Sequence, residues 1–448
     1  MLQSKHKISE KLIYSGVATT ILPFAYGIGL LCIQALEDPF IIKNYGISPK
    51  LFHQMCAFIL FVGAFLSNMI LYSFPKGIYA SILAFTLSSI VSVTLKFKYL
   101  VDSNALFYCN SLMALSLASL FFAIMVFVSS RYSSSLETRV ALSISSMCFA
   151  LGFAFYNIKK HALCILFSRV FIGFAAGGIS KYLPCYLSLI SPNEFRSIFS
   201  SLYSLGLVGG LLFFYAFLSS CKNFFMNGSW IVPAFFFLYP LLLIFCIPLE
   251  LKASFDNTLY SLITNPKALK SLLFVSGFHI ASNLCGINQL ALNPKSIYGE
   301  NDGFHSAANL FLSLVVSFFV GYLFELLGRK KLTLLSCGIL MIGCINFYFK
   351  TYVVFSAYLF SFGFNLGMAS IPFVILGEIF PEDFISPGAF FGVSCNWIGS
   401  ALSTIVPQDD MTTPYSLSFI IYFLSTLSFS LCILLFFKET KGKTPCFQ

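Results

Sequence analysis

Charge, acidic side chains and tryptophan are all scarce in this sequence. Only 10% of its 448 residues are Asp, Glu, Lys or Arg, whereas 58% are hydrophobic. A soluble domain carries about 25% charged residues. Residues 106–128 contain no charge at all, and a helix needs about 20 apolar residues to cross a bilayer. The composition therefore excludes an ordinary soluble protein and predicts an all-α polytopic membrane protein.

The motifs of the common enzyme classes are also missing. The 14 cysteines form no C-x-x-C pair and lie mostly in apolar segments, where cysteine behaves as a small hydrophobic residue. Phosphate-binding loops, H-E-x-x-H zinc motifs and nucleophile elbows are absent as well. We therefore expect no catalytic residues, no metal, no cofactor and no enzymatic activity.

The basic residues set the orientation of the chain. The net charge is +10, but the Lys and Arg residues are scattered through short loops, so we expect no binding of nucleic acid. Most of those between the spans fall on the side of the N-terminus, which places both termini in the cytosol. The apolar stretch after Lys11 is too long for a cleavable signal peptide and is interpreted as a signal anchor.

Apolar segments predict about fourteen spans in two groups. A polar interval at 250–270 is interpreted as a cytoplasmic linker between an N-terminal bundle, 1–249, and a C-terminal six-helix bundle with a short cytoplasmic tail, 271–448. The spans are predicted at 13–36, 51–74, 77–95, 105–129, 139–157, 161–190, 195–220, 230–249, 271–294, 305–324, 332–349, 351–377, 386–406 and 415–437.

Five short motifs, in order along the chain, carry a resemblance to a known family. They are the run Ser168–Gly210, CGIN at Cys285–Asn288, ELLGRK at Glu325–Lys330, the stretch from Ile371 through Gly377–Pro381 to Asn396-Trp397, and KETKG at Lys438–Gly442. Together they resemble the sugar porters of the major facilitator superfamily, which include the facilitative glucose transporters. The resemblance implies twelve core helices in two bundles that transport a solute by alternating access.

The N-terminal part has two spans more than this fold requires. If Arg131 belongs to the basic loop between core helices 2 and 3, residues 51–95 form an inserted helical hairpin. An alternative makes 51–74 the second core helix, because Val62–Phe65 resembles the family there. Either arrangement keeps both termini on the same side.

The resemblance also implies a sugar site, in which amides bind hydroxyl groups and an aromatic ring contacts the C–H face. Asn288, Asn396 and Trp397 match the family at such positions. Six further positions of the implied pocket differ from the family but remain polar or aromatic: Ser204, Ser282, Asn283, Ser313, Asn365 and Phe373.

A network of charges at the cytoplasmic end is implied as well. We expect Glu325, Arg329, Lys330 and Glu378 to hold the two halves closed on that side. Ser133–Ser135 replace the basic residues of the first loop, so the network is thinner than in the family. The gating and charge-network residues implied by the resemblance are Arg169, Arg196, Glu325, Arg329, Lys330 and Glu378.

The acidic residues bear on the mode of transport. Gly27 stands where proton-coupled relatives carry Asp, and no Asp or Glu lies within the body of a predicted span. Proton relays need an ionisable group inside the membrane. We therefore predict uniport of a sugar, a hexose, across the plasma membrane, with the lipid bilayer and the sugar as partners and no obligate protein partner. The alternatives are a carrier for another small polar organic solute and a transport-inactive sugar sensor.

Overall fold

The computed structural model describes residues 10–31, 48–72, 138–157, 162–192, 195–220, 231–246, 259–292, 294–405 and 417–443, and these contain helices and no strand. The helices, numbered in chain order, are α1 Glu10–Leu31, α2 Pro49–Tyr72, α3 Thr138–Asn157, α4 Ala162–Ile190, α5 Arg196–Ser220, α6 Ile231–Cys246, α7 Leu259–Thr264, α8 Pro266–Asn283, α9 Ile287–Leu292, α10 Pro294–Tyr298, α11 Asp302–Leu327, α12 Arg329–Tyr348, α13 Val353–Gly363, α14 Ile371–Ile379, α15 Glu382–Ile405 and α16 Leu417–Phe436.

Two groups of helices pack against each other. Helices α1 to α6 contact one another and form the first half, and helices α8 to α16 form the second. The halves meet along two main seams, where α5 packs on α11 and α2 packs on α15. This is the two-bundle arrangement predicted from the sequence.

The packing of α2 bears on the position of the extra hairpin. α2 lies along α4 within the first half and crosses α15 of the second half, so it belongs to the core. This placement favours the alternative in which the segment near 51–74 is the second core helix, and not the start of an insertion at 51–95. The predicted spans 77–95 and 105–129 lie outside the described residues.

Helices of the first half approach each other closely at glycines. A Cβ atom added at Gly173 would lie 2.2 Å from the carbonyl oxygen of Leu60, which joins α4 to α2. One added at Gly210 would lie 2.0 Å from the carbonyl oxygen of Phe24, which joins α5 to α1. Small residues permit such contacts between backbones in membrane bundles. Any larger side chain would force these helices apart.

Helix α11 shows the polarity expected of a helix in a bilayer. Asn309, Ser313 and Ser317 are buried inside the bundle, whereas Phe311 and Phe318 are 60% and 66% exposed. Water would penalise so much exposed apolar surface, but lipid would not. By length and hydropathy, nine helical segments in the described part of the chain could cross a membrane. The protein is therefore an integral, multi-pass membrane protein.

The second half begins earlier than predicted. The sequence places the first span of this half at 271, but α8 starts at Pro266. The side chain of Asn265 caps it, because its Oδ1 accepts hydrogen bonds from the backbone N–H groups of Lys267 and Ala268. Proline at the first helical position reinforces this start. Helix α7 and the start of α8 thus make most of the described part of the predicted linker helical.

Candidate functional site

A cavity lies between the two halves. The volume of this cavity is about 210 Å³. All nine pocket residues predicted from the resemblance line it: Ser204, Ser282, Asn283, Asn288, Ser313, Asn365, Phe373, Asn396 and Trp397. The structure thus brings together side chains that are up to about 190 positions apart in the sequence.

A broken helix positions the amides of the cavity. α8 ends at Asn283 and α9 begins at Ile287, with a turn between them. Gly286 in this turn has φ of +104°, and a Cβ atom there would lie 2.6 Å from the ring of Tyr422. Only glycine adopts this conformation readily. The CGIN motif therefore forms a kink that places Asn283 and Asn288 on the cavity.

Three asparagines and two serines form a hydrogen-bonded cluster on the cavity wall. The Asn283 amide donates to Oδ1 of Asn396 at 2.8 Å, and its own Oδ1 accepts from the hydroxyl of Ser400 at 2.7 Å. The Asn288 amide donates to Oγ of Ser403 at 2.8 Å. These bonds fix the amides, so a ligand would meet oriented donors and acceptors. Ser400 also lines the cavity but was missed from the sequence.

Trp397 forms an aromatic wall between the halves. It is 2% exposed, and its indole N–H donates to Oγ of Ser180 on α4 at 3.1 Å. The rings of Tyr26 and Phe61, from the first half, lie 6.0 and 6.1 Å from the Trp397 ring. Tyr26 was not among the pocket residues predicted from the sequence, and only the fold brings it to the tryptophan.

An irregular segment in the second half carries Asn365. A π-helical turn at Phe364–Met368 interrupts the helix between α13 and α14, and such turns are frequent at functional sites. Oδ1 of Asn365 accepts from the hydroxyl of Ser317 at 3.3 Å. Beyond the turn, the Phe373 ring lies 4.7 Å from the ring of Tyr203 in the first half.

Charged residues collect at one end of the molecule, where α5 and α12 begin and α11 and α14 end. The Nη2 atom of Arg329 lies 2.5 Å from Oε1 of Glu378 and 2.9 Å from Oε1 of Glu325. The Thr440 hydroxyl donates to Oε2 of Glu378 at 2.5 Å. We call this region, defined by Arg196, Glu325, Arg329, Glu378 and Glu439, the charged end.

The tail beyond α16 completes this cluster. The carboxylate of Glu439 accepts hydrogen bonds from the backbone N–H groups of Arg329, Lys330 and Lys441 at 2.9, 3.0 and 3.1 Å. Partial burial raises the pKa of Glu439, but these N–H groups and the Arg329 guanidinium lower it more, so the pKa lies below its usual value. The KETKG motif was recognised in the sequence, but its contact with Arg329 was not predicted.

The ion pairs of Arg329 with Glu325 and Glu378 lie within the second half of the described chain, because all three residues belong to that half. The role of these residues in holding the two halves closed stays a prediction. Hydrogen bonds link the first half to this region. Nη1 of Arg196 donates to the carbonyl oxygen of Gly377 at 3.2 Å, and the Ser197 hydroxyl donates to Oε1 of Glu325 at 2.5 Å.

Two further residues of the predicted network are placed differently. The Nζ atom of Lys330 donates to the carbonyl of Leu434 at 2.9 Å, so its side chain extends along α16. Arg169 is 1% exposed, and its Nη1 atom donates to the carbonyl of Gly29 on α1 at 2.7 Å. Because α4 ends at the charged end and Arg169 lies about six turns before that end, Arg169 is not part of the cluster there.

In the region between the cavity and the charged end, hydrogen bonds join the two halves of the molecule. The buried Asn68 amide on α2 donates to the carbonyl of Phe390 at 2.9 Å and to Oγ of Ser394 at 2.6 Å, both on α15. The hydroxyls of Ser204 and Ser370 are 2.8 Å apart. The cavity lining extends the other way, to Leu31 at the end of α1 and Ser306 near the start of α11.

No group of three His, Cys, Asp or Glu side chains is placed to hold a metal ion in the part of the chain that the structure describes. The cavity instead offers amides, hydroxyls and aromatic rings. Such a surface can bind the hydroxyl groups and C–H face of a neutral polar molecule.

Comparison with known proteins agrees with the fold and the motifs. A family model described as "Sugar (and other) transporter" matches residues 56–255 and 249–445. "Sugar transporter ERD6-like 7" of Arabidopsis thaliana is 22% identical and covers 68% of this chain and 77% of its own length. "Hexose transporter 1" of Plasmodium vivax is 27% identical over 35% of this chain and 34% of its own.

A solved structure has the same fold. XylE of E. coli, a proton:xylose symporter of the major facilitator superfamily bound to 6-bromo-6-deoxy-D-glucose, superposes with a TM-score of 0.67 at 13% identity, covering 98% of both chains.

Proposed function

Because this chain belongs to the sugar transporter family of the major facilitator superfamily, we propose that it carries a hexose by facilitated, uniport-type transport. It is a transporter and not an enzyme. The cluster of Asn283, Asn288 and Asn396 carries the proposal, since its oriented amides face a cavity between the two halves. Amide groups donate and accept hydrogen bonds at once, as the hydroxyl groups of a sugar require.

The transport step is a change in which end of the cavity is open. In the arrangement described, the halves are joined on the side of the charged end by Asn68, Ser204 and Arg196. Opening on that side requires these hydrogen bonds to break while contacts form at the opposite end. A sugar bound between the halves would move across the bilayer without passing through an open pore.

The packing around Gly27 supports uniport. A Cβ atom added at Gly27 would lie 2.3 Å from the carbonyl of Leu207, so α1 and α5 leave no room for a carboxylate there. Arg169 meanwhile donates to a backbone carbonyl, that of Gly29. A carbonyl cannot take up and release a proton as an Asp would. Among the described residues, the position of Gly27 therefore has neither a carboxylate nor the space for one.

The positions of the termini and the hairpin belong to the same proposal. We expect the charged end, with both termini, to face the cytosol, because most Lys and Arg residues between spans lie on that side. We place the protein in the plasma membrane. With α2 as the second core helix, the sequence-predicted spans 77–95 and 105–129, which lie outside the described residues, would be the extra pair.

Uptake of labelled glucose into proteoliposomes tests the function. We expect saturable uptake that does not respond to a pH gradient and is strongly reduced by Asn288→Ala. Asn346→Ala, which removes an amide outside the cavity lining, serves as the control. Uptake driven by an inward proton gradient would overturn uniport. Folded protein that neither binds nor moves any hexose would overturn the choice of substrate and favour another solute or a sensor.

A further inference from the structure

Asn309 lines the cavity one helical turn away from a predicted pocket residue. It is 7% exposed and lies four positions before Ser313, so the two side chains share one face of α11. Four residues of helix rise about 6 Å. Since α11 ends at the charged end with Glu325, Asn309 lies about 6 Å further from that end than Ser313 does.

One polar atom of the Asn309 amide has no hydrogen-bond partner among the described residues. Its Nδ2 atom donates to the hydroxyl of Tyr298 at 3.0 Å and to the hydroxyl of Ser361 at 2.9 Å. Among the described residues, its Oδ1 atom is buried and has no hydrogen-bond partner. If the amide is turned over, the hydroxyls donate to Oδ1 and the nitrogen lacks a partner instead. Either way, one end of a fixed amide is unused.

A buried polar atom without a partner destabilises the folded protein, and native structures contain few of them. The hydroxyl of a bound sugar can supply the missing partner, because a hydroxyl both donates and accepts. The nearby wall fits this role: Tyr298, Ser306 and Ser361 also line the cavity.

We propose that Asn309 is a substrate-binding residue and that its amide contacts a hydroxyl group on the face of the sugar directed away from the charged end. The inference rests on the proposed function and extends it. Ser313 has too short a side chain to reach as far as an amide would, so Asn309, one turn further from the charged end, supplies the amide contact on α11. The site would therefore select for a hydroxyl group at one defined position of the ring.

Binding of glucose and of its monodeoxy analogues to the full-length protein in detergent tests this. For the wild type, we expect each contacted hydroxyl to be worth about two- to tenfold in affinity. Asn309→Ala should lower the affinity for glucose by a similar factor. One deoxy analogue lacks the hydroxyl group that Asn309 contacts. For this analogue alone, Asn309→Ala should not lower the affinity further, because the partner hydroxyl is already missing.

A purely structural role for Asn309 predicts a different pattern, in which the variant weakens all analogues by the same factor. That result, or unchanged affinity of the variant for glucose, would overturn the inference and leave the proposed function intact. Absence of hexose binding by the wild type would overturn both. Asn346→Ala is the matched control, and retained binding of the one insensitive analogue shows that Asn309→Ala is folded.

Discussion

Arg329 binds Glu378 through two of its nitrogen atoms. Its Nε atom lies 3.0 and 3.1 Å from the two carboxylate oxygens, and its Nη2 atom lies 2.5 Å from Oε1. Both side chains are buried, at 2% and 7% exposure. The pair joins the start of α12 to the end of α14, close to the point where Arg196 and Ser197 of the first half make contact.

Replacing Arg329 by methionine should destabilise the protein strongly. The substitution leaves the buried Glu378 carboxylate without its cation, and breaking one side of a buried ion pair costs about 3–5 kcal/mol. We expect a fall of that size in the free energy of unfolding, measured by denaturation in mixed micelles. The double variant Arg329→Met/Glu378→Met should recover most of the loss. A single variant as stable as the wild type would contradict this account of the pair.

Glu439 should make the stability of the folded protein depend on pH. Its pKa in the folded protein lies below its usual value, so the ionised carboxylate stabilises the folded state above the unfolded pKa. That contribution is lost as the pH falls through the folded pKa. We therefore expect the wild type to be more stable than Glu439→Gln at pH 6, and the difference to shrink as the pH falls below the unfolded pKa.

Thermal unfolding of both proteins in detergent, followed between pH 6 and pH 4, provides the measurement. Lys438, next in the chain, allows a control: Lys438→Gln changes the tail charge but removes none of the backbone contacts made by Glu439. If the difference in thermal stability between the wild type and Glu439→Gln stays constant with pH, the negative charge of Glu439 does not contribute to the stability of the folded protein.

Much of the fold could be predicted from the sequence because lipid-exposed helices require long apolar runs. α11, α12 and α16 begin and end within a few residues of their predicted spans. The start of α8 was missed even though Asn265 and Pro266 are typical residues for a helix start. The kink at Gly286 could not be recognised, because a glycine in an apolar run is equally compatible with close helix packing.

The cavity residues were predicted from motifs, and all nine line one cavity, but their roles remain predictions. Their partners could not be foreseen, since the Asn68–Ser394 and Trp397–Ser180 contacts join residues distant in sequence. Arg169 was predicted among the gating and charge-network residues, and the sequence alone did not show how far it lies from the charged end. The direction of α4 in the fold shows this distance. The four-residue spacing between Asn309 and Ser313 indicates that they share a helix face, so Asn309 could have been predicted as a cavity residue.

Trp397 should report directly on sugar binding. The chain has two tryptophans, so Trp230→Phe leaves Trp397 as the only indole. Because Trp397 lines the cavity, adding a sugar to this variant should change its fluorescence in a saturable manner. The companion variant Trp397→Phe retains Trp230 and should give no saturable change. A signal that persists in the companion would place the reporter, and with it the binding site, away from the cavity.

Asn68 should control which end of the cavity is closed. Its amide makes two hydrogen bonds across the seam between α2 and α15, to Phe390 and Ser394, and they must break when the charged end opens. Removing them with Asn68→Ala should shift the balance toward opening by about 1–2 kcal/mol, a roughly 5- to 30-fold change in the ratio of the two states. We expect faster hydrogen exchange in residues 60–72 and 382–394, measured by mass spectrometry.

The neighbouring Ser67 separates this effect from a general loss of stability. Its hydroxyl donates to the carbonyl of Phe174 at 2.7 Å within the first half, so that bond stays intact when the halves move apart. Ser67→Ala should therefore leave exchange in 382–394 unchanged, although both positions are fully buried on the same helix. Equal acceleration in the two variants would mean that Asn68 stabilises α2 alone. Acceleration confined to Asn68→Ala, with weaker binding of sugar, would identify the Asn68 amide as a bond that opening must break.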